Sequence, residues 1–187
     1  ELHLISSVSS AGVIPTCLCV SPDDANLLAT NCGPFAPGSE GRTVAVFRIH
    51  RNGKLDEAKT AQQHEGSSLD PERQTSAHPH SVVLDPELRF AFVPDLGTDC
   101  IVAYRYDDHL GALIRCDHAT SLPPGSGPRQ MVFHPQGRYA YLVTEISSTI
   151  HAFAHEDGAL SPLQTLSTLP HNTPGGHDAA DLKLHQN

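Results

Sequence analysis

The sequence predicts an all-β chain of propeller type, built from four-stranded antiparallel blades, and three observations carry that expectation. First, Pro15 to Pro22 (PTCLCVSP), Pro79 to Pro86 (PHSVVLDP) and Pro128 to Pro135 (PRQMVFHP) each hold an apolar run between prolines seven residues apart. Second, each is followed by a turn and two further apolar runs, with period-two alternation plainest in CIVAYRY from Cys100. Third, turn formers are dense, with 14 glycines and 15 prolines among 187 residues, and no stretch carries a convincing helical period.

Taken in order, Leu2 to Val8 alternate apolar and polar residues and read as a lone strand. After the three proline-bounded runs come Leu27 to Thr30, Phe90 to Val93 and Tyr139 to Val143. The third runs are VAVFRI from Val44, CIVAYRY from Cys100 and TIHAFAH from Thr149, which close on glycine turns at Gly53, Gly111 and Gly158. Pro79 and Pro128 lie 49 residues apart and Pro15 and Pro79 lie 64 apart, the excess falling in two loops, Gly33 to Arg42 and Gln62 to Ala77. Short strands at a period of roughly 40 to 50 residues are the mark of propeller blades. The blade-like repeats cover about 15–75, 79–121 and 128–170, and ADLKLH from Ala180 opens a further blade over 179–187. Propellers close at about four to eight blades. The chain therefore reads as a partial β-propeller domain, and its open blade edges are surfaces for self-association. The start at Glu1, without methionine, reads as an N-terminus that has been cut away.

The formal charge of −9 argues against a nucleic-acid or anionic-membrane partner, which needs a basic patch to collect phosphates. A small anionic substrate is compatible with it, because a local cluster of arginines outweighs a screened net charge. The five cysteines, Cys17, Cys19, Cys32, Cys100 and Cys116, lie mostly inside apolar runs and read as small buried side chains of a reduced, cytoplasmic protein. Cys17 and Cys19 have no second pair with which to build a zinc site. No charged-then-apolar leader is visible, and no apolar run approaches the roughly 20 residues of a membrane helix.

The densest chemistry lies in GPRQMVFHPQGRYAYLVTEISS, from Gly127 to Ser148, where Arg129 and Glu145 flank a strand-turn-strand unit. First strands line a propeller's channel, so His80 and Arg129, each following the first proline of its repeat, converge although 49 residues separate them. Arg73 and Gln74, in PERQ of the long loop, suit either a substrate phosphate or carboxylate or a tie to the blade edge. Asn31 and Asp95 occupy equivalent places after second strands and read as turn caps. His78 and His80 alternate on one extended segment, so the expectation is that they face opposite ways or that one precedes the strand. The HPH pair lacks a third ligand nearby, and neither a metal nor a cofactor is implied. LPPGSG, from Leu122, lacks the lysine and helix of a phosphate loop. His134, His151 and His155 lie in or beside strands and read as locally bonded.

The ordered combination of PERQ, HPH, GPR and a glutamate after the next strand resembles successive blades of the seven-bladed lactonase family. That family includes propeller-type 6-phosphogluconolactonases and carboxy-cis,cis-muconate cyclases. The resemblance implies a parent of roughly seven blades and catalytic roles for His80, Arg129 and Glu145, with His78, Arg73, Gln74 and Gln130 binding substrate. It also implies a further arginine in an SNR-like segment, which would lie beyond Asn187. Gln130 stands where the family often has histidine, and Thr144 where asparagine usually precedes the glutamate. Lactone hydrolysis needs a base for water, a positive group for the oxyanion and an acid for the leaving alkoxide. Muconate cyclisation needs clamped carboxylates and proton transfer at carbon. The same trio serves both and does not discriminate between them; the resemblance makes hydrolysis of a sugar-acid lactone, such as 6-phosphogluconolactone, the expected activity, with cyclisation or a noncatalytic binding propeller as alternatives.

Overall fold

A computed structural model of the chain describes residues 2–33, 42–171, 173 and 178–185. Among them are twelve strands in three antiparallel sheets, and no helix. The first sheet joins β1 (Pro15–Val20), β2 (Asn26–Asn31), β3 (Val44–Arg48) and β4 (Thr60–Gln62). The second joins β5 (Val83–Leu84), β6 (Phe90–Asp95), β7 (Cys100–Asp107) and β8 (Ala112–Ser121). The third joins β9 (Pro128–Phe133), β10 (Tyr139–Thr144), β11 (Thr149–Glu156) and β12 (Ala159–Ser167). Each sheet is a meander whose spatial order follows the sequence, joined by short turns throughout the second and third sheets and by longer connections after β2 and β3 in the first. The sheets are the blades of a propeller, with β5 meeting β9 on the inner side and β4 meeting β8 on the outer side.

Apolar side chains on the blade faces build the core between sheets. Leu28, Val44 and Val46 of the first blade pack on Val82, Val93, Val102 and Tyr104 of the second. Phe92, Ile101 and Ala103 on the opposite face pack on Met131, Ala140, Leu142 and Phe153 of the third. The second blade is thus covered on both faces, and every residue of β6 is buried. By contrast β12 is almost wholly exposed, with Leu163 and Leu166 in solvent.

The segment from Leu2 to Val8, expected to be a strand, is irregular instead, and Leu2 and Leu4 are exposed. Alternation makes a strand only where an open edge accepts its backbone hydrogen bonds. Here Val8 and Ala11 cover Ala29, Ala45 and Phe47 without joining the sheet. Residues 178–185 lie in no strand; 34–41 of the expected long loop and 186–187 of the expected further blade lie outside the described residues. All five cysteines are half-buried and unpaired.

One irregularity recurs in every blade. In the third, Val143 pairs with Gln130 but Thr144 with Pro128, leaving Arg129 as an extra residue. In the first, Thr30 pairs with Cys17 and Asn31 with Pro15, leaving Thr16. In the second, Phe92 pairs with Val83 while Asp95 bridges to Pro79, the same one-residue slip. A bulge of this kind bends the strand and re-aims a side chain. It falls where proline has no backbone N–H to give the ladder. Thr16, His80 and Arg129 are therefore equivalent residues at the same end of adjacent blades.

Candidate functional site

The bulge turns Arg129 towards the end of β10, where Glu145 follows the last strand residue. The Glu145 backbone N–H donates to the Gly127 carbonyl at 2.7 Å, fixing the carboxylate beside that bulge. Gly127 itself has φ 66°, and a Cβ there would lie 2.7 Å from the Ile146 side chain, so the turn needs glycine. The Glu145 carboxylate is 5% exposed by residue and is gripped from two sides. Arg129 Nη1 meets its Oε2, and Arg73 Nη2 meets its Oε1. Arg73 also reaches Asp178 Oδ1 at 2.8 Å, and Arg129 Nε donates to the Ala180 carbonyl at 2.9 Å. PERQ and GPR thus meet on one carboxylate, although Arg73 and Arg129 come from different elements.

Arg73 also lines a cleft of about 260 Å³ with Ile14, Cys32, Glu72, His78, His80 and Leu96. His78 and His80 both face Cys32 Sγ, at 3.8 and 3.6 Å, so they do not point opposite ways; both precede β5, in keeping with the other reading. Residues two apart on an extended chain share a face. His78 Nδ1 lies 2.6 Å from the Cys32 carbonyl, which can only accept, so that nitrogen carries the proton. Its Nε2 faces Ser76 Oγ at 3.3 Å, and both ring nitrogens are therefore spent within the protein. Among the described residues the His80 ring has only the weak thiol contact. Burial, and after it the neighbouring His78, push its imidazole down to about 4, so it is neutral at pH 7 where it lines the cleft. Burial, with the Asp95 carboxylate adding to it, pushes the Cys32 thiol up to about 11, which makes it a weak donor rather than a nucleophile.

Two expected substrate contacts lie elsewhere. Gln74 is completely buried, its amide donating to the Leu96 carbonyl at 2.7 Å and accepting from the Asp70 backbone N–H at 3.0 Å. It ties the long loop to the blade, the other of the two readings. Gln130 pairs with Val143 in the ladder and is half-buried.

His64 is the functional-looking residue that sequence reasoning missed. Its Nδ1 donates to Asp95 Oδ2 and its Nε2 accepts from the Tyr104 hydroxyl, both at 2.7 Å. Carboxylate, imidazole and hydroxyl in line are the order of a nucleophilic triad. Here Tyr104 is completely buried and burial raises its hydroxyl's pKa, so the line is a structural brace. Asp95 is likewise more than a turn cap, since its Oδ1 also accepts the backbone N–H of His78 at 2.8 Å and of Gly97 at 3.0 Å. A lone histidine 31 residues from its partner has no spacing signal by which sequence would reveal it.

Among the described residues no cluster of three His, Cys, Asp or Glu side chains could hold a metal ion. What the site does assemble is two guanidinium groups, a buried carboxylate and a neutral imidazole, the groups that handle a polar, negatively charged small molecule.

Comparison with known proteins places these groups in context. A family model described as "Lactonase, 7-bladed beta-propeller" matches residues 1–187. The 6-phosphogluconolactonase of Bacillus subtilis is 33% identical over 129 residues, 68% of this chain and 36% of that protein. The 6-phosphogluconolactonase of Formosa agariphila is 32% identical over 120 residues, 63% of this chain and 34% of that protein. The solved structure of the periplasmic gluconolactonase of Pseudomonas aeruginosa superposes with a TM-score of 0.85 at 35% identity, over 95% of this chain and 49% of that one. The chain therefore spans half or less of the length of these relatives.

Proposed function

Because the chain belongs to the seven-bladed β-propeller lactonase family, we propose that it supplies part of the active site of an enzyme that opens a sugar-acid lactone, with 6-phosphogluconolactone the leading substrate. The observation that carries this reading is the meeting of Arg73 and Arg129 on Glu145, beside a cleft where His80 is kept neutral. The names of the relatives from Bacillus subtilis, Formosa agariphila and Pseudomonas aeruginosa support the reaction class.

In the proposed reaction, water adds to the lactone carbonyl as His80 accepts one of its protons. A new C–O bond forms and the carbonyl electron pair moves onto oxygen. Arg129 stabilises that oxyanion, since charge appearing in a partly buried site is where a guanidinium contributes most. Collapse breaks the ring C–O bond, the departing ring oxygen takes the proton back from the His80 imidazolium, and the product is the open-chain hydroxy acid. Arg73, half-exposed and forked between Glu145 and Asp178, is placed to bind the substrate's phosphate or carboxylate. Glu145 takes one guanidinium group on each of its oxygens.

The reading is tested by supplying the intact protein with 6-phosphogluconolactone, uncharged gluconolactone and a carboxymuconate, and following ring opening and cyclisation separately. Ring opening that is faster with the phosphorylated lactone supports it. Cyclisation alone would replace it with the cyclase reading, and retention of a lactone without turnover would leave a binding propeller.

A further inference from the structure

The turn between β6 and β7, DLGTD from Asp95 to Asp99, has no group in the cleft beyond Leu96, yet it touches the segments that deliver His78, His80, Arg73 and Arg129. Asp99 is 3% exposed and has φ 53°, a left-handed conformation uncommon for a residue with a side chain. Its Oδ1 accepts the Gly127 backbone N–H at 2.7 Å, two residues before Arg129. Its Oδ2 accepts the Gly125 backbone N–H at 2.7 Å and the Ser68 hydroxyl at 2.6 Å. Ser68 belongs to the loop that carries Arg73, and its backbone N–H donates to the Gln74 carbonyl at 2.9 Å.

The other end of the turn does the same for the histidines. Asp95 Oδ1 accepts from His78 N–H at 2.8 Å, and the Pro94 carbonyl just before it accepts from His80 N–H at 3.1 Å. Asp95 Oδ2 and the Leu96 carbonyl hold His64 and Gln74, which lie on either side of Ser68 in the loop. Between them Gly97 leaves no room for any side chain, because a Cβ there would lie 1.8 Å from the Ser76 carbonyl oxygen and 2.9 Å from His78 N. Buried carboxylates with these acceptor loads are costly unless fully hydrogen-bonded, and the donors they collect come from separate elements.

We infer that Asp95 and Asp99 are positioning residues for the candidate site. Asp95 sets the HPH segment, Asp99 sets the approach to Arg129, and together they clamp the 63–77 loop that presents Arg73. The inference rests on the proposed assignment of Arg73, Arg129 and His80 to one site. It adds that one turn of the middle blade fixes their relative placement.

The test uses two variants of the intact protein, Asp99→Asn and Ser68→Ala, the second removing only the loop's hydroxyl from Asp99. The readouts are kcat and KM for the phosphorylated and the uncharged lactone, with the thermal midpoint measured alongside. The expected result is about a tenfold fall in the preference for the phosphorylated lactone in Ser68→Ala, because Arg73 is displaced, with the rate on the uncharged lactone nearly unchanged. Asp99→Asn is expected to lower turnover of both lactones, because Arg129 moves as well. Losses equal on both lactones in Ser68→Ala, tracking the thermal midpoint, would overturn the positioning role. If the wild-type protein opens neither lactone, the proposed function fails by itself. The positioning claim is then decided by the side-chain N–H resonances of Arg73 in Ser68→Ala and the Gly125 and Gly127 amides in Asp99→Asn. Movement supports it and unchanged resonances overturn it.

Discussion

The tops of the second and third blades are built to one plan and put it to different uses. Asp95 and Thr144 each end their blade's second strand and stand opposite a proline, Pro79 in a bridge ahead of β5 and Pro128 at the start of β9. In the second blade that position holds a fully buried carboxylate whose two oxygens are consumed by His64, His78 and Gly97. In the third it holds a hydroxyl that bonds only to its own turn, at 2.8 Å to Ser147 and 2.6 Å to Thr149. The charge has moved one residue on, to Glu145, which faces Arg73 and Arg129. A shared backbone register thus braces the fold in one blade and presents chemistry in the next, and what separates them is one residue's offset from the strand end.

The largest effect that would break the comparison concerns the brace. Asp95→Ala leaves three donors, two of them buried, without an acceptor and is expected to cost about 3–5 kcal/mol in urea unfolding. Thr144→Ala is expected to cost about 1 kcal/mol, and equal losses would show that the two positions do the same work. Next in size, Arg73→Ala should lower kcat/KM for the phosphorylated lactone about ten- to a hundredfold while leaving the unfolding midpoint nearly unchanged. A loss confined to stability would return Arg73 to a loop tie.

His80 provides a smaller, pH-resolved effect. Burial opposes its cation in the folded protein, so the unfolded chain takes up that proton first. Its contribution to stability is complete above about 6.5, the ordinary histidine value, and is lost as pH falls towards about 4. Across that window the wild type should lose at most about 1.4 kcal/mol per pH unit more than His80→Gln, as read from unfolding curves. Parallel curves would place His80 in solvent. Smallest of all, Thr144→Asn puts in the third blade the residue that Asn31 supplies in the first. It should shift stability by under about 1 kcal/mol and activity by less than about threefold.

Much of this was legible in the sequence, for identifiable reasons. The proline-bounded runs marked the inner strands because proline and apolar alternation are both local signals, and they placed Arg129 and Glu145 at the ends of one unit. The outer strands were faint, since β12 is exposed along most of its length and carries no buried stripe. Leu2 to Val8 misled because alternation says nothing of whether a sheet edge is free to accept it. Within the site, Arg73 was visible in PERQ, but its meeting with Glu145 depends on how the 63–77 loop folds back. His64, Asp95 and Asp99 act through contacts with partners about 30 residues away, which no local pattern encodes.

Glu145, held between Arg73 and Arg129, is proposed to belong to a lactone-opening site. The most direct measurement is the ring-opening rate of 6-phosphogluconolactone by the intact protein and by its Glu145→Gln variant, which keeps the side chain's shape and removes its charge. A fall of about a hundredfold or more is expected, with the thermal midpoint little changed. Equal rates in the two proteins would contradict it.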